Sequence, residues 1–255
     1  MILDAFRLDG KVALVTGAAQ GLGAGMAEGL AEAGAELALL DRKPMETCRR
    51  RIEALGRRAL TLERDLAQTT PASARAHIEA CVAHLGRLDI LVNNAGIIRR
   101  APALDFTQED WESVLDINLR SVFYLSQAAA RHFVATQTPG CIINLASMLS
   151  FQGGLNVPSY AAAKSGIAGL TRALANEWAG IGIRVNAIAP GYLSTEVTAG
   201  LRTDPERSQA VLARIPAGRW GTPEDLKGAV VFLASDAAQY VHGALLTVDG
   251  GWLGR

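Results

Sequence analysis

Hydrophobic residues in this chain gather into short unbroken runs, separated by longer segments in which apolar positions recur every three or four residues. Val12–Thr16 is the first run, closed by Gly17, and residues 36–40 are the second, closed by Asp41. Residues 59–62, 88–92, 141–145 and 183–188 continue the series, and Leu245–Val248 ends it. Unbroken runs, as opposed to alternating ones, predict strands covered on both faces, as in a parallel sheet.

The segments between the runs predict helices. Residues 23–33 are rich in Ala, Leu and Glu and stop at Gly34, a suitable residue just past a helix end. Thr107, three residues before Asp110, predicts a capped start for a helix running on toward Ala135. Pro158 opens another, since proline is tolerated in a first turn, and Ile167, Leu170, Leu174 and Trp178 mark its core face. Thr222-Pro223-Glu224-Asp225 predicts a late helix with acidic residues at its positive end. Strand and helix alternate without a linker or repeat, so the expectation is an α/β fold: a single-domain, Rossmann-type, doubly wound parallel sheet over residues 1–255. Residues 194–217 are the least regular and are expected to cover a substrate.

Charge and composition narrow the function. Lys+Arg and Asp+Glu both number 25, which argues against nucleic acid or an anionic membrane as partner. Cys48, Cys81 and Cys141 form no CxxC pair, and the four histidines have no metal-ligand spacing, so a reducing compartment and no metal are expected. The first ten residues, with Asp4 and Asp9, do not read as a secretory signal. No window approaches the ~18 apolar residues of a membrane span, and a cytoplasmic protein is expected.

Candidate chemistry begins directly after the first strand. Gly17, Gln20, Gly21, Leu22 and Gly23 lie in a GxxxGxG turn that opens a helix. Glycines there let the backbone approach a pyrophosphate, and the helix N-terminus supplies N–H donors. The same spacing occurs in plain loops; its place between strand and helix points to a dinucleotide. Asp41, 24 residues after Gly17, is placed to accept bonds from ribose hydroxyls and to repel a 2′-phosphate, which favours NAD over NADP. Arg42 beside it could screen that charge or hold a phosphate. Asp65 and Leu66 are candidates for the adenine edge, and Asn93, Ala95 and Gly96 for the cofactor wall, although two successive asparagines also suit a simple turn.

A second group lies farther on. Ser147 follows a strand, and 13 residues later Tyr160 and Lys164 share one helical face. A phenol ordinarily titrates near ~10, and a neighbouring ammonium favours its ionised form. Tyr160 could then take the proton of an alcohol, or return it to a carbonyl, while Ser147 holds the substrate oxygen.

Taken together, Gly17…Gly21…Gly23, Asn93-Asn94-Ala95-Gly96, Ser147, Tyr160…Lys164 and Pro190-Gly191…Thr195 resemble the short-chain dehydrogenase/reductase family along essentially the whole chain. The resemblance implies an NAD(P)-dependent alcohol/ketone oxidoreductase and a homotetramer. It also implies that Asn118 distorts its helix and holds a water contacting Lys164, that Lys164 and Tyr160 reach the nicotinamide ribose, and that Pro190, Gly191 and Thr195 bind the nicotinamide end. Residues 96–100, 146–154 and 214–221 are similar to family members that act on sugar acids. The cofactor half is then about 1–140, with substrate-side segments near 147–156 and 191–217. Arg99 and Arg100 are candidates for a substrate carboxylate, with Met148, Gln152 and Tyr192 as further pocket residues. A polyol dehydrogenase, a 3-oxoacyl-thioester reductase and a non-catalytic nucleotide-binding regulator are the alternatives; Asp41 and zero net charge weigh against the second, and intact Tyr160 and Lys164 against the third.

Overall fold

A computed structural model describes residues 1–255, with the side chain of Val197 left aside. In chain order the main elements are β1 (Val12–Thr16), α1 (Gly21–Glu32), β2 (Glu36–Asp41), α2 (Glu46–Ala54), β3 (Ala59–Glu63), α3 (Pro71–Leu85) and β4 (Ile90–Asn93). They continue as α4 (Gln108–Leu115), α5 (Ser121–Thr136), β5 (Gly140–Leu145), α6 (Pro158–Trp178), β6 (Ile183–Pro190), α7 (Ala199–Arg202), α8 (Pro205–Leu212), α9 (Lys227–Ala234) and β7 (Leu245–Val248). The seven strands form one parallel sheet in the order β3-β2-β1-β4-β5-β6-β7. Strand order reverses between β1 and β4, and ligands of open α/β sheets bind at that break, beyond the carboxyl ends of the strands.

The unbroken apolar runs follow from two cores, one on each face. Ala13 and Val15 of β1, with Leu37 and Leu39 of β2, pack with Met26 and Leu30 of α1 and Val230 and Leu233 of α9. Their neighbours Val12, Leu14, Ala38 and Leu40 face the other way, onto Ile78 of α3 and Leu125 and Phe133 of α5. Every position is covered, so no polar alternation survives.

Element types agree with the sequence pattern, and several details differ. The first helix begins at Gly21, two residues ahead of the expected start, because the turn glycine itself enters the helix. Gly34 follows it at φ +116°. Thr107 caps α4 as expected, accepting from Asp110 N at 3.1 Å. The helix toward Ala135 is not continuous: Asp116–Arg120 forms a π turn between α4 and α5. Thr222 is followed by a 3-10 turn, Pro223–Leu226, before α9 begins. Residues 194–217 include two short helices, α7 and α8, and so are more regular than expected. Helices α2 and α3 carry weak sequence signals, since α2 is largely charged and buries only Cys48 and Ile52.

A polar chain runs through the apolar centre of the sheet. Asn93 Nδ2 donates to Asn144 Oδ1 at 2.9 Å and to Ser126 Oγ at 3.0 Å, and Asn144 Nδ2 donates to Thr171 Oγ1 at 3.0 Å. These bonds tie β4, β5, α5 and α6 together where water cannot substitute. Asn144→Ala removes one acceptor and one donor from this sealed site and is expected to cost about 1–3 kcal/mol, read as a lowered midpoint in chemical denaturation.

Candidate active site

The turn after β1 owes its shape to two glycines. Gly17 has φ +67°, and a Cβ there would lie 2.7 Å from Asn94 Nδ2. At Gly23 a Cβ would stand 2.0 Å from the Gly17 carbonyl oxygen. Gly23 therefore lets α1 close against the turn, and it stands outside the lining of the cleft in front of it. The cleft measures about 480 Å³ and is lined by Gly17, Gln20, Gly21, Leu22, Asp41, Arg42, Asp65 and Leu66 on one side. Ala95, Gly96, Pro190, Gly191 and Thr195 line it on the other, and Ser147, Tyr160 and Lys164 stand at its inner end.

Asp41 is held in place by its own bonds. One carboxylate oxygen accepts from Ala19 N at 3.0 Å and the other from Lys43 N at 2.9 Å. The carboxylate thereby joins the glycine turn to the end of β2, with lone pairs left over. Asn93 does not line the cleft: it is buried in the polar chain, and Asn94 takes the surface position, its Nδ2 donating to Thr16 O at 2.9 Å and Gly17 O at 3.1 Å. Two adjacent asparagines point to opposite sides of a strand end, and the sequence cannot say which faces inward.

At the inner end, Lys164 Nζ donates to Leu145 O at 2.5 Å and sits 5.6 Å from the centre of the Tyr160 ring. Burial pushes the Lys164 ammonium down to about 8. Burial also raises Tyr160, while the Ser147 hydroxyl and the Arg100 charge act in the opposite direction. Ser147 Oγ accepts from Leu149 N at 3.1 Å, which leaves its hydroxyl proton to donate to the Tyr160 phenol or to a ligand oxygen. Ser150 supports the group: its hydroxyl donates to Lys164 O at 2.6 Å and accepts from Ser147 N at 3.3 Å. Only the capping geometry after β5 could have singled out Ser150 in advance.

Asn118 is wholly buried on the π turn, and its amide clasps one peptide: Oδ1 accepts from Ile97 N and Nδ2 donates to Ile97 O, both at 2.9 Å. Asn118 thus lies beside the cleft wall and fixes the strand exit that leads to Arg99 and Arg100. Those two arginines part company. Arg99 lines the cleft with Nε 3.1 Å from Asp110 Oδ1, whereas Arg100 has no ion-pair partner among the described residues. Met148 is buried with Tyr160, Tyr192 and Trp252 in a small apolar cluster, and it does not line the cleft. Gln152 accepts from Trp252 Nε1 at 3.3 Å, and Tyr192 lines a separate cavity of about 230 Å³ beside Asp249. These three expected pocket residues gather around Trp252, in a cluster that Tyr160 also packs against.

Over residues 17–253 the sequence matches the family described as Enoyl-(Acyl carrier protein) reductase. It is also 56% identical to the 2-dehydro-3-deoxy-D-gluconate 5-dehydrogenase of Escherichia coli, with 100% of both chains covered.

The chain belongs to the short-chain dehydrogenase/reductase family.

A second relative, the 2-dehydro-3-deoxy-D-gluconate 5-dehydrogenase of Bacillus subtilis, is 49% identical, with 99% of this chain and 98% of the relative covered. Among solved structures, a gluconate 5-dehydrogenase from Burkholderia cenocepacia in complex with NADP and tartrate matches with a TM-score of 0.94 and 43% identity over 100% of both chains. For this short-chain dehydrogenase/reductase, alcohol/ketone oxidoreduction is the chemistry of the cleft. Among the described residues no group of His, Cys, Asp and Glu could hold a metal ion, and no helix is long and apolar enough to cross a membrane.

Burial of Lys164 has a consequence for stability. The unfolded side chain keeps its proton to about 10.5, whereas the folded one releases it near 8. The unfolded state therefore binds more protons between these values, and this group's contribution to stability rises with pH across that window. Below pH 8 the cost of burying the charge is present in full, about 3 kcal/mol for a shift of this size. Relative to Lys164→Met, the wild-type protein is expected to gain stability between pH 8 and pH 10.5, measured by denaturant unfolding at both ends.

Proposed function

We propose that this chain is an NAD-dependent dehydrogenase that interconverts a secondary alcohol and a ketone on a sugar acid, as a 2-dehydro-3-deoxy-D-gluconate 5-dehydrogenase in uronate breakdown. The observation that carries the substrate reading is the full-length similarity, at 56% and 49% identity, to two sugar-acid dehydrogenases; Arg100, an exposed guanidinium outside the cleft lining and without an ion-pair partner among the described residues, is the candidate for the substrate carboxylate. A substrate with a carboxylate a few bonds from its reacting carbon would meet Arg100 and Tyr160 together, and a charge-assisted bond would orient it.

The cleft suits a nicotinamide dinucleotide, since Gly17 and Gly21 line it at the N-terminus of α1, where no side chain keeps a pyrophosphate from the backbone. Gly17, Gln20, Gly21 and Leu22 would hold the pyrophosphate, Asp41 the adenosine ribose, Asp65 and Leu66 the adenine, and Ala95, Gly96, Pro190, Gly191 and Thr195 the nicotinamide end. The bound cofactor supplies hydride transfer; the residues of this chain supply position and the proton. Ser147 donates its hydroxyl proton to the substrate oxygen. Tyr160 takes up the alcohol proton as the carbon is oxidised and returns it in the reverse direction. Lys164 keeps one bond to Leu145 O and directs its remaining donors at the nicotinamide ribose and the phenol. Asn118 acts chiefly by clasping Ile97, and a water leading to Lys164 would rest on main-chain groups of the π turn.

NADP is the second cofactor reading, favoured by Arg42, Lys43 and Arg64 at the cleft edge and by the NADP held in the Burkholderia structure. Comparing kcat/KM for NAD and NADP, with the sugar acid and with acyl thioesters, tests both cofactor and substrate. A homotetramer is also proposed. Edge strand β7 lacks a partner on its outer side and Leu104 and Tyr240 are fully exposed, so solution mass by light scattering should exceed that of one chain. The three cysteines are free and buried, and burial raises the Cys48 and Cys81 thiols to about 12, which fits a reducing compartment.

Two substitutions test the chemistry. Tyr160→Phe removes only the phenolic hydroxyl; turnover should fall to below about one per cent while NADH still binds, as read by fluorescence titration. Arg100→Gln should lower kcat/KM about ten- to a hundred-fold for the acid and far less for a neutral polyol. It should also move the pH profile of alcohol oxidation to higher pH, because the charge that lowers Tyr160 is gone. Arg99→Gln, which breaks the pair with Asp110, should have the smaller effect; equal losses on acid and polyol would place the carboxylate elsewhere.

A further inference from the structure

One carboxylate at the cleft mouth has no part in the reaction described above. Glu196 begins the short 3-10 turn Glu196–Thr198 in the substrate-side segment, and it lines the cleft together with Gln20 and Lys43. Its Oε2 accepts from Gln20 Nε2 in the glycine turn and from Lys43 Nζ at 3.2 Å. The turn that carries Glu196 is itself held, with Thr198 Oγ1 donating to Leu193 O at 2.6 Å and accepting from Thr195 N at 3.1 Å. Lys43 is tied at both ends. Its main-chain N–H donates to Asp41 at 2.9 Å, while its ammonium reaches across the cleft to Glu196.

This geometry bears on the choice between the two dinucleotides, which differ by a single phosphate on the adenosine ribose. That phosphate carries about two negative charges and needs cations close to Asp41, which otherwise repels it. Lys43 is one residue beyond Arg42 and two beyond Asp41, with its ammonium on the cleft side, so it is a natural partner for such a phosphate. The ammonium is already committed. We infer that Glu196 is a second determinant of dinucleotide choice, acting from the opposite wall: by holding Lys43 it withholds a cation from a 2′-phosphate.

The pair is partly open to solvent, with Lys43 46% and Glu196 69% exposed. Exposed pairs are weak and exchangeable, so Glu196 biases the choice by a modest factor and does not forbid the phosphorylated cofactor. A neutral residue at this position would leave the fold of the turn intact, since the turn's own bonds run through Thr195 and Thr198. The inference rests on the reading of the cleft as a dinucleotide site, and it holds whichever cofactor the wild-type protein prefers.

The test is fluorescence titration of NADH and NADPH into wild type, Glu196→Gln, Lys43→Gln and the double variant. Glu196→Gln should tighten NADPH about two- to five-fold more than NADH at low salt, and the difference should shrink as salt is raised. In the double variant most of that gain should vanish, and Lys43→Gln should weaken NADPH more in the Glu196→Gln background than in wild type. Equal tightening of both cofactors, no change in either, or a gain that persists without Lys43 would each overturn the inference. If the wild-type protein bound neither dinucleotide, the reading of the cleft itself would fall, an outcome distinct from the other three.

Discussion

Where β1 and β4 end side by side, the sheet changes direction and the last backbone groups of both strands lose their regular partners. Thr16 and Asn94 replace those partners. The Thr16 hydroxyl accepts from Asn94 N and Ala95 N, both at 3.0 Å, while the Asn94 amide closes onto the carbonyls of Thr16 and Gly17. Unpaired backbone groups at a sealed strand end would be costly, so this short knot allows the chain to leave two neighbouring strands in opposite directions. The cleft is the space that the departure opens.

The remaining site geometry depends on that knot. The Asn94 amide fills the place a side chain at Gly17 would need, and the Gly17 carbonyl fills the place of one at Gly23; turn, strand end and α1 therefore form one rigid unit. On the far side of β4, Asn93 carries the constraint into the sheet through Asn144 and Thr171, and Asn118 carries it to the loop through Ile97. The reacting groups hang from the next strand and helix, where Lys164 is drawn to the end of β5 by Leu145 O and Ser147 is locked by Leu149 and Ser150. Phenol, hydroxyl and ammonium thus meet without relying on mobile side chains for their placement.

Electrostatics around this frame is uneven. Asp110 takes the charge of Arg99, and Glu196 takes that of Lys43. Arg100 has no ion-pair partner among the described residues, and its charge acts to lower the Tyr160 phenol. Burial makes the Lys164 ammonium easier to deprotonate and the Tyr160 phenol harder, so the neighbouring hydroxyl and guanidinium are needed to bring the phenol back toward a working range.

The sequence by itself determined the sheet, the glycine turn, Asp41 at the end of β2, and the Ser147, Tyr160 and Lys164 group. Each of these is a local property: an apolar run, a spacing of glycines, a helical repeat of four. Tertiary structure decided which asparagine faces the cleft, where the long middle helix is broken, and that Met148, Gln152 and Tyr192 gather around Trp252. It also decided which arginine is ion-paired and that Lys43 is held by a carboxylate 153 residues away. Long charged side chains reach partners that only the folded arrangement brings near, so their pairing leaves no mark on any local pattern. Backbone requirements do leave such a mark, because they are met residue by residue along the chain.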